Sequence, residues 1–386
     1  MHKATAVLLV LVFSLFPIFC AANTDTAKGS ATTTTEGSPL DVDNYYYSQL
    51  SSSEQVAYQA MFDCITTLVS KWNCGSFSQE TLKKAYDCLL LDHPELFWSN
   101  SFTYVTSYVN NSISGHYVEF EYTMTRSEIA QANGEIEQAL FELVQNIGTI
   151  EPSYETIRKV YVWMVENCKY DKTNMDQSLY SVLVKKNGVC ASFSKAFEFI
   201  LQCLGIPCIA VNGKLKQGSG LLGSSNLGHE WNLVKINGYW VHVDITSAVS
   251  LYESTGAVNY DYFCCTTSFL EKTHIIDNVV DIPQCDDDSL NIFKFYELEL
   301  ETYDLEKVKQ DFVETAELGM YPTVRFSNYK AFYEAKTDLI TNEKLFQVVA
   351  ALTGQEVKSL EYTLDENELS ITVIAEVLKN LEDMPI

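Results

Sequence analysis

The sequence predicts an α+β fold in which a helix opens on a cysteine and packs against an antiparallel hairpin. Three observations predict it. Phe193, Ala196, Phe197, Ile200 and Leu204 recur at helix spacing and form one apolar stripe, which Gly205 and Pro207 bring to an end. Residues 230–236 and 239–245 read as strands joined by Asn237-Gly238, a pair that favours the type I′ turn of a tight hairpin. Upstream, helical periodicity gives way to strand alternation and then returns. At 386 residues, 47% hydrophobic and 20% charged, the chain has core for two or three units. With only 17 Gly and 8 Pro it is neither collagen-like nor all coil.

Taken in order, residues 1–22 read as a signal peptide. Met1-His2-Lys3 carries charge, 4–19 is almost wholly apolar, and Cys20-Ala21-Ala22 offers small residues for cleavage. The apolar run is shorter than the roughly 20 residues a membrane helix needs. An exported protein with no transmembrane segment after cleavage is expected. Residues 23–50 read as a flexible linker, Thr-, Ala-, Ser- and Gly-rich up to about residue 42.

Residues 51–150 read as an α+β region. Val56, Ala60, Met61, Cys64 and Leu68 mark one helix. Ser78 caps a second over 82–91, which His93-Pro94 breaks. Residues 102–109 and 117–124 alternate as a hairpin, and 129–147 returns to helix. Residues 151–285 hold the amphipathic helix 157–165, the stripe after Cys190 and the Asn237-Gly238 hairpin. Residues 286–386 read as an acidic α+β domain, with strands at 293–300 and 323–326, helices at 305–318 and 345–351, and a final strand pair.

The formal net charge is −25, from 26 basic and 51 acidic residues. Tracking phosphates needs clustered Lys and Arg, so nucleic acid is a poor partner candidate and no anionic membrane surface is expected as a partner. Residues 286–386 alone hold 22 acidic and nine basic side chains, a solvated and repulsive surface. Of eleven cysteines, ten survive cleavage. Export permits disulfides, but spacing does not reveal their pairing. No matched pair of CxxC motifs exists to support structural zinc, and no cofactor or metal is implied.

Three residues carry the candidate chemistry. Cys190 stands at a helix start, where free N–H groups and the helix dipole favour a thiolate. His229 opens one strand of the hairpin and Asp244 ends the other. Nucleophile, base and orienting carboxylate could be assembled from this order. Centring the turn on Asn237-Gly238 makes Ile236 face Tyr239, Leu233 face His242 and Trp231 face Asp244. Asp244 is then the diagonal neighbour of His229 on the same sheet face, within side-chain reach. Val234, Ile236, Val241 and Val243 fall on the opposite, apolar face. His242 shares the face of His229 and is the rival base, two residues further from the hairpin's open end. Trp231 and Trp240 either line the site or pack the sheet.

At these positions the chain resembles the transglutaminase-like superfamily, whose papain-like core carries a Cys-His-Asp triad. The resemblance rests on Gly188-Val189-Cys190, Ser194-Lys195-Ala196-Phe197, Leu204-Gly205-Ile206-Pro207, His229-Glu230-Trp231-Asn232 and Val243-Asp244-Ile245-Thr246, with Tyr170-Asp171 as lead-in. It covers about 100 residues. Asp92-His93-Pro94-Glu95-Leu96-Phe97-Trp98 is similar to a segment that precedes this core in many exported bacterial members. The resemblance implies a papain-like, transglutaminase-like core with Cys190 as nucleophile, His229 as base and Asp244 as orienter. Departures are Ala191-Ser192 after the cysteine, Glu230 after the histidine, and Ser247 where Trp often follows the Thr. The expected function is that of a secreted cysteine enzyme acting on protein or peptide amide bonds through an acyl-thioester. The competing class is a non-catalytic surface-binding or adhesion module that keeps the fold.

Overall fold

The computed structural model of the protein describes residues 44–148, 151–174, 176–217 and 228–374. The expected signal peptide and most of the expected linker lie outside the described residues. Two compact units emerge. The residues up to Thr246 join Thr267–Cys285 in the first; Ser247–Thr266 and the residues from Asp286 onward form the second.

Among the described residues of the first unit the first element is a short helix, α1 (Tyr45–Ser48), inside the segment read as linker. Its start is held by Asp92, whose carboxylate accepts the N–H groups of Tyr46 and Tyr47, each at 2.8 Å, and the Tyr58 hydroxyl at 2.9 Å. Burial pushes the Asp92 carboxyl up to about 6 against the pull of those bonds. Helix α2 (Ser52–Thr67) follows, with a capping box between Ser51 and Glu54. Its buried stripe is Ala57, Tyr58, Met61, Cys64 and Ile65; Val56, expected inside, is exposed. After β1 (Lys71–Asn73), Ser78 caps α3 (Gln79–Asp92) through its hydroxyl at 3.0 Å from the Thr81 N–H.

A long hairpin comes next, β2 (Ser99–Val109) and β3 (Ser112–Tyr122), turned by Asn110 and Asn111 with φ of 48° and 63°. Its partner β1 lies beside β3. Helices α4 (Arg126–Ile147) and α5 (Tyr154–Asn167) follow, capped by Thr125 and Ser153. Then come β4 (Lys169–Tyr170), α6 (Leu179–Leu183), β5 (Asn187–Gly188) and α7 (Cys190–Cys203). The stripe residues Phe193, Ala196, Phe197 and Ile200 of α7 are all buried.

Strand β6 (Cys208–Leu215) was not anticipated. It lies between β7 (Gly228–Ile236) and a short strand from much later in the chain. β8 (Tyr239–Val243) pairs with β7 in the expected register: Ile236 faces Tyr239 and Leu233 faces His242. Asn237 and Gly238 both take positive φ, as a type I′ turn requires. β8 ends two residues earlier than expected, because Asp244 turns to accept the Thr246 N–H at 3.0 Å and α8 (Ile245–Thr255) begins. Past β9 (Phe263–Cys265), which belongs to the second unit, helix α9 (Thr267–Leu270) and strand β10 (His274–Ile276) return the chain to the first unit. β10, β6, β7 and β8 are neighbours in that order, each pair antiparallel.

In the second unit the expected strand over 293–300 is instead α10 (Ile292–Phe295) followed by β11 (Glu299–Leu300). The Asn291 side chain caps the helix at 3.1 Å from the Phe293 N–H. Elements α11 (Leu305–Glu317), β12 (Thr323–Phe326) and α12 (Tyr329–Lys336) follow, the last running into a π-turn over Thr337–Thr341. The unit ends with α13 (Lys344–Thr353), β13 (Glu361–Asp365) and β14 (Ser370–Ile374). Its sheet has the order β11-β12-β14-β13. Val308, Phe312, Val324, Phe326, Phe332 and Val349 lie in one apolar core. The Val258 N–H bonds Gly319 O and the Tyr260 hydroxyl bonds Leu318 O, both at 2.8 Å, tying residues 247–266 into this unit. Among the described residues no helix is long and apolar enough to cross a membrane.

Candidate active site

Cys190 is the first residue of α7. A backbone approach tolerated only by glycine sets its place. A Cβ at Gly188 would lie 2.3 Å from Ser192 Oγ and 2.8 Å from Val182 Cγ2. Val189 N–H donates to Ser192 Oγ and that hydroxyl donates to Val189 O, each at 2.8 Å, which fixes the turn into the helix. Cys190 is partly exposed; Cys64, Cys74, Cys88, Cys168, Cys203, Cys208 and Cys264 are buried thiols. A nucleophile must be reachable, and Cys190 alone of these meets that condition.

Two bonds lock α7 to β7. The Ser194 hydroxyl donates to Trp231 O and the Asn232 amide donates to Ser194 O, both at 3.0 Å. They bring the Cys190 end of the helix to the His229 end of the strand. His229 and Asp244 are both buried, and His229 Nε2 lies 2.9 Å from Asp244 Oδ2. The hairpin arithmetic anticipated that diagonal contact, and no bulge interrupts the β7–β8 register. Burial would lower the His229 imidazole. The Asp244 charge and hydrogen bond, with a hydrogen bond and charge from Cys190, outweigh it and push it up to about 10. Cys190 therefore stands beside the His229 ring. With Nε2 turned to Asp244, Nδ1 is the nitrogen left for the sulfur.

Burial would likewise raise Asp244. The His229 charge and hydrogen bond, then those of His274, reverse this and hold the carboxyl well below the usual range. The carboxylate is thus anionic inside the protein, where an unpaired charge would be costly.

His242, the rival base, is committed elsewhere. Trp231 Nε1–H donates to its Nδ1 at 3.1 Å, and its Nε2 lies 3.1 Å from Thr267 Oγ1. Burial, then His274, pushes it down to about 3, so it is neutral in the working range. Trp231 belongs to the site: its ring stacks on His229 at 5.9 Å between centroids and meets His274 edge-on at 5.2 Å. Trp240 does not share this contact; it packs edge-on against Tyr45 at 6.2 Å. Glu230, the unexpected neighbour of His229, is buried, and burial raises its carboxyl.

Two site residues escaped sequence reading. Tyr170 comes to Cys190 because β4 runs parallel to β5, with Tyr170 opposite Gly188. Burial, then the charges of Cys190 and Asp244, pushes its phenol up to about 12, so it stays a neutral hydroxyl. The motif Tyr170-Asp171 was visible, but its place was not. His274 is the other: its Nε2 lies 3.2 Å from Asp244 Oδ2. It sits in a three-residue strand, too short for any periodicity.

The donor atoms of His229, Asp244 and His274 lie within 4.8 Å of one another, and among the described residues they form the group placed to share a cation. Both imidazoles, however, address one carboxylate oxygen at hydrogen-bond distance. That contact calls for N–H protons where a cation would need lone pairs. The arrangement is that of a hydrogen-bonded cluster.

Residues 142–245 match the family described as the transglutaminase-like superfamily. Kyphoscoliosis peptidase of Mus musculus is 25% identical over 158 residues, 37% of this chain and 24% of the relative. That of Homo sapiens is 24% identical over 166 residues, 39% of this chain and 24% of the relative. The chain thus spans about a quarter of the length of these relatives. Among solved structures, the periplasmic domain of TgpA from Pseudomonas aeruginosa, bound to ethylmercury, aligns with a TM-score of 0.22. It is 18% identical over 34% of this chain and 55% of that chain. A TGase structure aligns with a TM-score of 0.26 and 13% identity over 44% and 48%.

Proposed function

We propose, from the match of residues 142–245 to the transglutaminase-like superfamily, that this chain is a secreted cysteine enzyme cleaving amide bonds of proteins or peptides through an acyl-thioester. The observation that carries the reading is a single imidazole, His229, between a buried carboxylate and the partly exposed thiol at a helix start.

The chemistry follows from that arrangement. The Cys190 proton passes to His229, and the sulfur attacks the amide carbonyl carbon. The C–N bond breaks as the His229 imidazolium returns the proton to the leaving nitrogen. Asp244 holds the ring's orientation and offsets its positive charge. Water, giving a proton to His229, then attacks the thioester, releasing the acid and restoring the thiol. An amine in place of water would receive the acyl group instead. The relatives' name, peptidase, favours water. Export is proposed from the charged start and apolar run of residues 1–22.

The test is mass spectrometry of a protein mixture incubated with the protein, with and without an added amine, together with labelling by a thiol-directed acyl probe. New peptide termini that require Cys190 are the expected result. Amine incorporation without cleavage would make it an acyltransferase. Failure of Cys190 to label while the fold is intact would leave the binding-module reading.

A further inference from the structure

The cluster around Asp244 holds more than a triad needs. Asp244 Oδ2 contacts two imidazoles, His229 Nε2 at 2.9 Å and His274 Nε2 at 3.2 Å, while Oδ1 accepts the Thr246 N–H at 3.0 Å. All three side chains are buried. His274 arrives from β10, two strands away from β7, with β6 between them. The space that permits this is built in. Gly213 of β6 faces both His229 on β7 and Ile276 on β10. A Cβ there would lie 2.5 Å from the Trp231 ring and 2.3 Å from Ile275 O. Trp231 therefore lies over the glycine and touches both His229 and His274.

The geometry points to His274 as a positioning residue: its Nε2–H fixes the Asp244 carboxylate in the orientation from which it holds His229 toward Cys190. This rests on the proposed function and deepens it. A carboxylate oxygen only accepts, so His274 Nε2 must carry a proton. In the neutral ring Nδ1 then accepts from the Thr273 hydroxyl, 2.8 Å away. With donors on both oxygens and two on Oδ2, the carboxylate plane is fixed. Without His274, the second Oδ2 donor is lost in a place water does not readily reach, and the carboxylate can turn away from His229. The titratable and charged groups facing this cluster are His229 and Glu230 on β7, His242 on β8, Asp244 after it, Cys190 on α7 and Tyr170 on β4.

The test needs no knowledge of the substrate. The rate at which iodoacetamide alkylates Cys190 is followed against pH in the whole protein, for the wild type, His274→Gln, His274→Leu, His229→Ala and Cys190→Ser. Gln places an N–H near the Nε2 position; Leu fills the space without one. His274→Leu is expected to alkylate at least about tenfold more slowly near pH 6, with the acid limb moved up by about one pH unit. His274→Gln is expected to stay within about threefold of wild type with the limb unmoved. A folded His274→Leu with wild-type rate and limb overturns the proposal. So does equal loss in both variants, which would mean that ring volume alone matters. Should His274→Leu not fold, nitrogen NMR of the histidine-labelled wild type decides. A proton on His274 Nε2 supports the proposal; one on Nδ1 only overturns it. The His229→Ala and Cys190→Ser arms separate the two readings. If Cys190 reacts no faster than an ordinary thiol and ignores His229→Ala, the proposed function falls and this inference with it. If Cys190 is fast and depends on His229 while His274→Leu behaves as wild type, only the inference falls.

Discussion

The two units solve the burial problem in opposite ways. In the first, the sheet faces around β7 and β8 bury His229, His242, His274, Asp244, Glu230 and Asn232. In the second, the four-stranded sheet buries Val324, Phe326, Ile371 and Val373 against helices that add Val308, Phe312, Phe332 and Val349. Burying polar and charged groups is costly unless each finds a partner, whereas apolar burial contributes roughly 25 cal/mol per Å². The first unit therefore holds a structure that packing alone would not select, and the second holds one that it would. The contrast teaches where to look for chemistry: in the buried groups that need one another.

The comparison breaks most sharply at His229. His229→Ala is expected to slow Cys190 chemistry by about 1,000-fold, within the range for a lost general base, read as alkylation rate or peptide turnover. The matching cut in the second unit is Phe312→Ala. It should cost about 3–5 kcal/mol of stability in thermal or denaturant unfolding, with Cys190 alkylation unchanged in the folded protein. Equal damage to chemistry from both substitutions would show that the division of labour is wrong.

Gly213→Ala probes the close approach that seats Trp231. Its Cβ must displace the Trp231 ring or the Ile275 carbonyl, so a loss of about 2 kcal/mol is expected, with slower alkylation of Cys190. His242→Ala tests the committed histidine. It leaves Trp231 Nε1–H without its acceptor, which should cost about 1–3 kcal/mol, while the alkylation rate stays within about threefold of wild type.

The smallest effect sharpens the contrast from the other side. Asp311 is a carboxyl buried in the second unit, and burial followed by Glu314 pushes it up to about 7. The unfolded chain releases this proton near pH 4 and the folded one near 7, so the folded state binds more protons between them. Stability should fall as pH rises from about 4 to 7. Asp311→Asn should flatten that slope and gain about 1–2 kcal/mol at pH 8, measured by thermal unfolding across pH. An unchanged slope would mean that Asp311 is already ionised in the fold.

Much of the site was legible because its determinants are local. The stripe from Phe193 to Leu204 made α7 visible, and Gly188-Val189 placed Cys190 at its start. The Asn237-Gly238 turn, with both residues at positive φ, set a register from which the His229–Asp244 contact followed by counting. Local signals also misled. Residues 293–300 are apolar and aromatic enough to read as strand, yet the Asn291 cap starts a helix there. Val56 fell on a helical period but on its solvent side, because α2 buries the stripe of Ala57, Tyr58, Met61, Cys64 and Ile65 instead.

By itself, then, the sequence determined which residues open helices, where the hairpin turns, and which two side chains meet across it. Those are matters of backbone preference and pleat, settled within some fifteen residues of chain. Only the tertiary structure decided that β6 lies between β7 and β10, that Tyr170 comes beside Cys190, and that His274, 30 positions beyond Asp244, shares its carboxylate oxygen. Pairings between distant segments carry no periodicity of their own. They are selected by the apolar area that the whole unit buries, and by such local permissions as the missing side chain at Gly213.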